Sequence, residues 1–111
     1  ADVLIENFRP GGLDRFGLGY DDVSAANPGI VYASISGFGT TERGRVLPGY
    51  DLIVQAMSGL MSLTGEPDAP PARVGASMVD TLTGVTGMVG LLSCVMQARR
   101  LRRISRSCSR R

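Results

Sequence analysis

The chain has 111 residues, 43% hydrophobic and 20% charged, a balance that belongs to one globular domain at most and excludes a disordered chain. It contains no His, which excludes His-based triads and His metal sites, and no metal is expected. The net charge of +2 hides a split: ten acids against five Arg before Arg99 leave −5, and seven Arg from Arg99 to Arg111 make +7.

Ala1-Asp-Val-Leu-Ile-Glu6 has the apolar density of a buried parallel strand, and the sequence is expected to open within a structure, not at an initiator Met or signal peptide. Asn7 to Gly12 is a Pro/Gly loop placed past the carboxyl end of that strand, where parallel α/β sheets present ligand-binding loops. Short helices are expected around Leu13 to Phe16 and Tyr20 to Ala26, the second stopped by Asn27-Pro28. Ile30 to Ser36 is rich in β-branched residues and is the second strand, ended by Gly37-Phe-Gly39. Residues 40–49 form a polar loop. Leu52, Ile53, Ala56, Met57, Leu60 and Met61 then share one helical stripe, which predicts a helix over Tyr50 to Leu63. Gly65 to Pro71 is a proline loop, and Val74 to Val79 is expected to be extended.

Thr81 to Ala98 carries no charge. Eighteen uncharged residues before an Arg cluster have the outline of a marginal transmembrane helix. Thr81, Thr83, Thr86, Ser93 and three glycines lower its hydrophobicity, however. Gly84, Gly87 and Gly90 lie three apart and make a smooth strip that a second backbone can approach. The expectation is a buried core helix, with a small membrane or interaction protein as the alternative. Residues 99–111 form an Arg/Ser-rich tail. No aromatics interleave there and no nucleic-acid motif precedes it, so no nucleic-acid partner is expected. Cys94 and Cys108 form no CxxC and are expected to be reduced thiols in a cytoplasmic protein.

Asp80 stands just before the uncharged helix, and two roles are open to it. It can act as an N-cap, its carboxylate accepting a first-turn N–H. It can also be a nucleophile, because a helix N-terminus stabilises an ionised carboxylate and the oxyanions that its attack creates. A carboxylate attacking a thioester forms an anhydride and splits acyl transfer into easier steps. Asn7, Phe8 and Arg9 are a polar, aromatic and cationic cluster that is either a turn with a buried Phe or a binding loop. Arg9 and Arg15 have the guanidinium geometry that recognises phosphate. Tyr50 is by default an aromatic at a helix start, and the five Met are core filler.

In order along the chain, Asp2 to Gly11, Leu18-Gly-Tyr20, Asn27-Pro28, Tyr32 to Gly39, Pro48 to Met61, Thr64 to Pro67 and Val74-Gly75 leading to Asp80 resemble the class III CoA-transferase family of the CaiB/BaiF type. The resemblance covers nearly all of residues 1–98. It implies an α/β fold, part of a Rossmann-like large domain with parallel strands flanked by helices, in a protein whose two subunits interlock. It implies coenzyme A as acyl carrier, with an acyl-CoA and a carboxylic acid as substrates, and a soluble homodimer without a membrane partner. Asp80 matches the aspartate that forms acyl-anhydride and aspartyl-CoA thioester intermediates. Asn7, Phe8 and Arg9 match a CoA-contacting loop, Arg15 a further CoA contact, and Leu47, Pro48, Gly49 and Tyr50 another contact segment.

Two departures accompany the resemblance. Family chains have a strand, loop and helix before the position of Ala1, and strands with a small domain after the Asp80 helix. The stretch from Leu101 to Arg111 replaces the latter, so 1–98 is expected to be the central part of the large domain, and 99–111 a non-native or disordered tail such as out-of-frame reading of a GC-rich gene produces. On this basis the chain alone is expected to be inactive. The related α-methylacyl-CoA racemases are similar but carry a histidine at the position of Tyr50. Racemisation needs an acid and a base flanking the α-carbon, so Tyr50 favours transfer over epimerisation, which remains the alternative.

Overall fold

Two short runs of branched and aromatic residues, separated by a Pro/Gly loop and a helix, pair as parallel strands. The computed structural model describes residues 1–108. Strand β1 spans Val3–Glu6 and strand β2 Val31–Ser34, in parallel register with Val3 opposite Val31 and Glu6 opposite Ser34. Between them lie a 3-10 turn at Asp14–Phe16 and helix α1 at Tyr20–Ala26, the crossover that parallel pairing requires. After β2 come a 3-10 turn at Gly44–Val46, helix α2 at Asp51–Met57, another 3-10 turn at Leu60–Leu63 and helix α3 at Met78–Cys108. The α/β class with helix-flanked parallel strands is as expected from the sequence. The fold divides into two units, residues 1–35 with the chain from Thr86 onward, and residues 36–85.

In the first unit the ladder extends beyond the strands, with Val31 donating to the Asp2 carbonyl at 2.9 Å and Ile35 to the Glu6 carbonyl at 2.9 Å. Asn27 shapes the return: its Nδ2 donates to the Ala1 carbonyl at 2.8 Å and its Oδ1 accepts from Gly29 N–H at 3.1 Å. Tyr32 packs edge-to-face on Tyr20, ring centroids 5.8 Å apart, and its hydroxyl donates to the Leu18 carbonyl at 3.1 Å. From α3, Leu91, Val95 and Ala98 are half-buried, and Val95 and Ala98 line a shallow cleft with Asp2, Gly29, Val31 and Arg99.

In the second unit, Gly37 and Gly49 meet backbone to backbone. A Cβ on Gly37 would stand 2.5 Å from Gly49 Cα, and one on Gly49 would stand 2.8 Å from Gly37 N. The loop after β2 and the loop before α2 are thereby held together at a spacing that no side chain permits.

Four expectations change. The helix predicted over Tyr50 to Leu63 breaks after Met57, because Gly59 takes a left-handed conformation (φ 81°) and the chain resumes as a 3-10 turn. Val74 to Val79 is not a strand: no β pairing forms there, and α3 begins at Met78. The helix continues in backbone through residue 108, across most of the expected tail. Arg and Leu favour helix, and no Gly or Pro interrupts 99–108; residues 109–111 of that tail lie outside the described residues. Finally, the stretch Met78–Arg100 is long and apolar enough to cross a membrane, yet none of it is buried, so the expected core helix lacks a cover among the described residues. Leu82, Val85, Val89, Leu92 and Met96 form an exposed stripe on it. Gly84 and Gly90 face open space, while Gly87 lies 3.8 Å (from its would-be Cβ) from Ile35 Cδ1.

No hydrophobic side chain among the described residues is buried; the buried polar side chain of Gln55, 1% exposed, is the exception to a half-open interior.

Two outcomes follow from these packings. Burial, with Glu6 and Asp14 nearby, raises the Tyr32 phenol above its ordinary value of 10.0. The folded state thus holds this proton more tightly than the unfolded chain. Its stabilising contribution is complete below about pH 10 and is lost as pH rises through the folded-state value. Spectrophotometric titration should show a phenol ionising above pH 10 that vanishes in Tyr32→Phe. Gly49→Ala should loosen the paired loops by about 1–3 kcal/mol, measured as faster amide exchange across residues 37–50.

Candidate functional site

The residues singled out by the sequence fall on both units, and each group is built differently. In the first unit, Glu6 ends β1 with its carboxylate turned along the strand edge. One oxygen accepts from the Phe8 N–H at 2.7 Å and the other from the Ser34 hydroxyl of β2. A single carboxylate therefore ties the two strand ends together and sets where the 7–9 loop departs. Arg9 closes a turn through its carbonyl, which accepts from Gly12 N–H at 2.7 Å. Asn7, Phe8 and Arg9 are exposed, Phe8 at 60%, so the alternative of a turn with a buried Phe does not hold. The Arg9 side chain makes no hydrogen bond or ion pair among the described residues. Arg15 is exposed and its guanidinium lies over the Phe16 ring, 4.7 Å from the centroid. Stacking of this kind orients the planar fork while leaving its N–H edge open.

In the second unit, Leu47 is 41% exposed and Tyr50 69%, Pro48 is half-buried, and Gly49 makes the contact with Gly37. Tyr50 begins α2 as its cap residue, its carbonyl accepting from Ile53 and Val54 N–H at 3.0 and 3.1 Å. Its phenol makes no hydrogen bond among the described residues and stands in solvent.

Asp80 is the third residue of α3, not the residue ahead of it. Its carboxylate is exposed and accepts no hydrogen bond among the described residues, so it does not serve as the N-cap. That place is taken by Asp51. Asp51 Oδ1 accepts from Val79 N–H at 2.9 Å and from Asp80 N–H at 3.1 Å, and its Oδ2 accepts from Gln55 Nε2 at 2.5 Å. Gln55 Oε1 in turn accepts from Val74 N–H at 3.0 Å. The rest of the first turn is also committed: Met78 N–H donates to the Ala76 carbonyl at 2.8 Å and Thr81 N–H to the Ser77 carbonyl at 3.1 Å. The four first-turn donors of α3 are therefore engaged within the protein. An oxyanion formed at Asp80 feels the helix dipole, but its hydrogen bonds must come from other groups.

Sequence reasoning missed Glu6, Ser34, Asp51 and Gln55. Only the last pair left a signal, an acid and an amide four apart on one helical face. Among the described residues no group of His, Cys, Asp and Glu is placed to hold a metal.

The profile of CoA-transferase family III matches residues 1–102. The chain is 50% identical over 99 residues to an acetyl-CoA:oxalate CoA-transferase of Acetobacter aceti, covering 89% of this chain and 25% of that one. It is 44% identical over 100 residues to a succinate–glutarate CoA-transferase of Agrobacterium fabrum, with coverage of 90% and 25%. Among solved structures, a CaiB/BaiF family protein from Brucella suis superposes with a TM-score of 0.86 at 44% identity, over 91% of this chain and 27% of that one. A hypothetical protein from Mycobacterium tuberculosis gives 0.82 at 32% identity, over 90% and 28%. The chain thus spans about a quarter of the length of the curated relatives it matches. With a parallel β–α–β start, an exposed aspartate on the first turn of α3 and a family match over nearly its whole described length, the chain belongs to CoA-transferase family III.

Proposed function

We propose that residues 1–98 are the central part of the large domain of a CoA-transferase, with Asp80 as its nucleophile. The observation that carries this reading is the Asp80 carboxylate, exposed and without a hydrogen-bond partner among the described residues on the first turn of α3, in a chain of this family. A carboxylate committed to capping would be spoken for; this one is available to attack.

The chemistry proceeds through the carboxylate alone. An Asp80 oxygen attacks the acyl carbon of the donor thioester, the C–S bond breaks, and CoA leaves as thiolate from an acyl-aspartyl anhydride. The thiolate attacks the aspartyl carbonyl, releases the donor acid as carboxylate and leaves an aspartyl-CoA thioester. The acceptor carboxylate attacks that thioester and expels the thiolate again. The thiolate then takes the new acyl group and restores the Asp80 carboxylate. Arg9 and Arg15 hold phosphates of CoA, with Asn7 and Phe8 shaping the same loop. Leu47, Pro48, Gly49 and Tyr50 form a second contact segment for CoA. The parent enzyme is a cytoplasmic, interlocked homodimer acting on an acyl-CoA and a carboxylic acid.

In the full-length enzyme, Asp80→Ala should lower transfer by more than about a thousandfold, and hydroxylamine added with acyl-CoA to the unmodified enzyme should attack the activated aspartyl carbonyl and leave Asp80 as its hydroxamate. Wild-type turnover in the alanine variant would reduce Asp80 to a structural residue. Rapid α-carbon deuterium exchange in a 2-methylacyl-CoA, without transfer to an acid, would instead establish a racemase. The 111-residue chain alone should be inactive and show no sharp cooperative melt as a monomer, because the α3 stripe is bare and no apolar side chain among the described residues is buried. Size-exclusion chromatography with thermal circular dichroism checks this. A monodisperse monomer with a sharp transition would show an autonomous domain.

A further inference from the structure

We infer that Asp51 is a positioning residue for Asp80, fixing the first turn of α3 so that the Asp80 carboxylate is presented at a set place and angle. This role rests on Asp80 being the nucleophile.

Asp51 Oδ1 holds the N–H of Asp80 itself, at 3.1 Å, as well as that of Val79 at 2.9 Å. The backbone from which the reactive side chain grows is thus anchored one residue at a time. The acceptor is itself immobilised. Its other oxygen is held by Gln55 Nε2 at 2.5 Å, and Gln55 has the buried side chain of this region, 1% exposed. The amide oxygen of Gln55 is fixed by Val74 N–H at 3.0 Å, on the segment that leads into α3. Asp51 and Gln55 lie four apart on α2 and share one face, so α2 carries the pair as a rigid bracket. Asp80 has no side-chain partner of its own among the described residues, so its direction is set through its backbone. Ser77, the residue ahead of α3, could have supplied a local cap but uses its carbonyl, which accepts from the Thr81 hydroxyl at 2.8 Å and from Thr81 N–H; no hydrogen bond from its own hydroxyl occurs among the described residues. The bracket from α2 therefore does this work.

A bracket of this kind makes a separable prediction. Placement of the nucleophile affects the bond-making step, while donor binding depends on the CoA contacts. Asp51→Ala in the full-length enzyme should lower kcat about 10- to 100-fold, with KM for the acyl-CoA changed less than about twofold. Asp51→Asn keeps one acceptor oxygen for Val79 and Asp80 but turns its amide NH2 toward the Gln55 Nε2 donor, so it should recover only part of the loss. Amide exchange at Val79 and Asp80 should rise in Asp51→Ala and rise less in Asp51→Asn. Should Asp51→Ala fail to fold, Asp51→Asn and Gln55→Met carry the test. Gln55→Met frees the bracket while keeping volume, and should lower kcat with KM unchanged.

Wild-type kcat in Asp51→Ala, with Asp80→Ala inactive, would overturn the positioning role and leave the nucleophile standing. So would a rise in KM that accounts for the whole loss, or wild-type kcat in a folded Gln55→Met. An active Asp80→Ala would overturn both readings.

Discussion

A helix begins with four N–H groups that no earlier turn can accept. In α3 two of them, Val79 and Asp80, point at one oxygen of Asp51, and everything notable about this segment depends on that contact. It joins α2 to the start of α3 without any hydrophobic burial. It spares Asp80 from capping its own helix, which leaves that carboxylate exposed. It also makes Gln55, a polar residue, the most buried side chain of the described structure. A buried amide is tolerated only when its polar atoms are paired, and here its Nε2 donates to Asp51 while its Oε1 accepts from Val74.

The carboxyl edge of the sheet uses the same device. Glu6 closes β1, takes the Ser34 hydroxyl from β2 and takes the Phe8 N–H from the loop beyond. Two acids, one in each unit, set the starting points of loops and helices by accepting backbone N–H groups. Apolar packing supplies less than usual, since Leu82, Val85, Met88, Val89, Leu92 and Met96 of α3 remain on the surface. A membrane-compatible helix by length and composition is thus, within these residues, a helix with one half-buried edge at Leu91, Val95 and Ala98.

Much of the fold was legible in the residues. The two strands and α1 follow from β-branched runs and from Asn27-Pro28, and their parallel pairing follows from the intervening helix. The break in α2 was present in the sequence as Ser58-Gly59, but the apolar stripe continuing through Leu60 and Met61 masked it. A stripe reports which face is apolar, and a 3-10 turn can continue that face after the α-helix has ended. The start of α3 was misplaced for a different reason. Asp80 beside an uncharged run has the pattern of a local cap, and pattern cannot show that a residue far upstream has taken the position. The site was legible only in its local parts. Arg9, Arg15 and Asp80 stand out by residue type, whereas Glu6 and Asp51 act through contacts across 28 and 29 positions of sequence, which no spacing rule reaches.

That separation sets the order in which the segment can be assembled. Asp51 leaves the ribosome before Asp80, and chains fold from the N-terminus as they emerge, so the acceptor is in place when the donors arrive. The reverse holds for transplantation. An α3 moved into another protein without α2 would carry its aspartate on a turn with two N–H groups open, and such turns fray. The inheritable unit is therefore the pair of helices together with the Val74 segment between them, and exchange between family members should respect those limits.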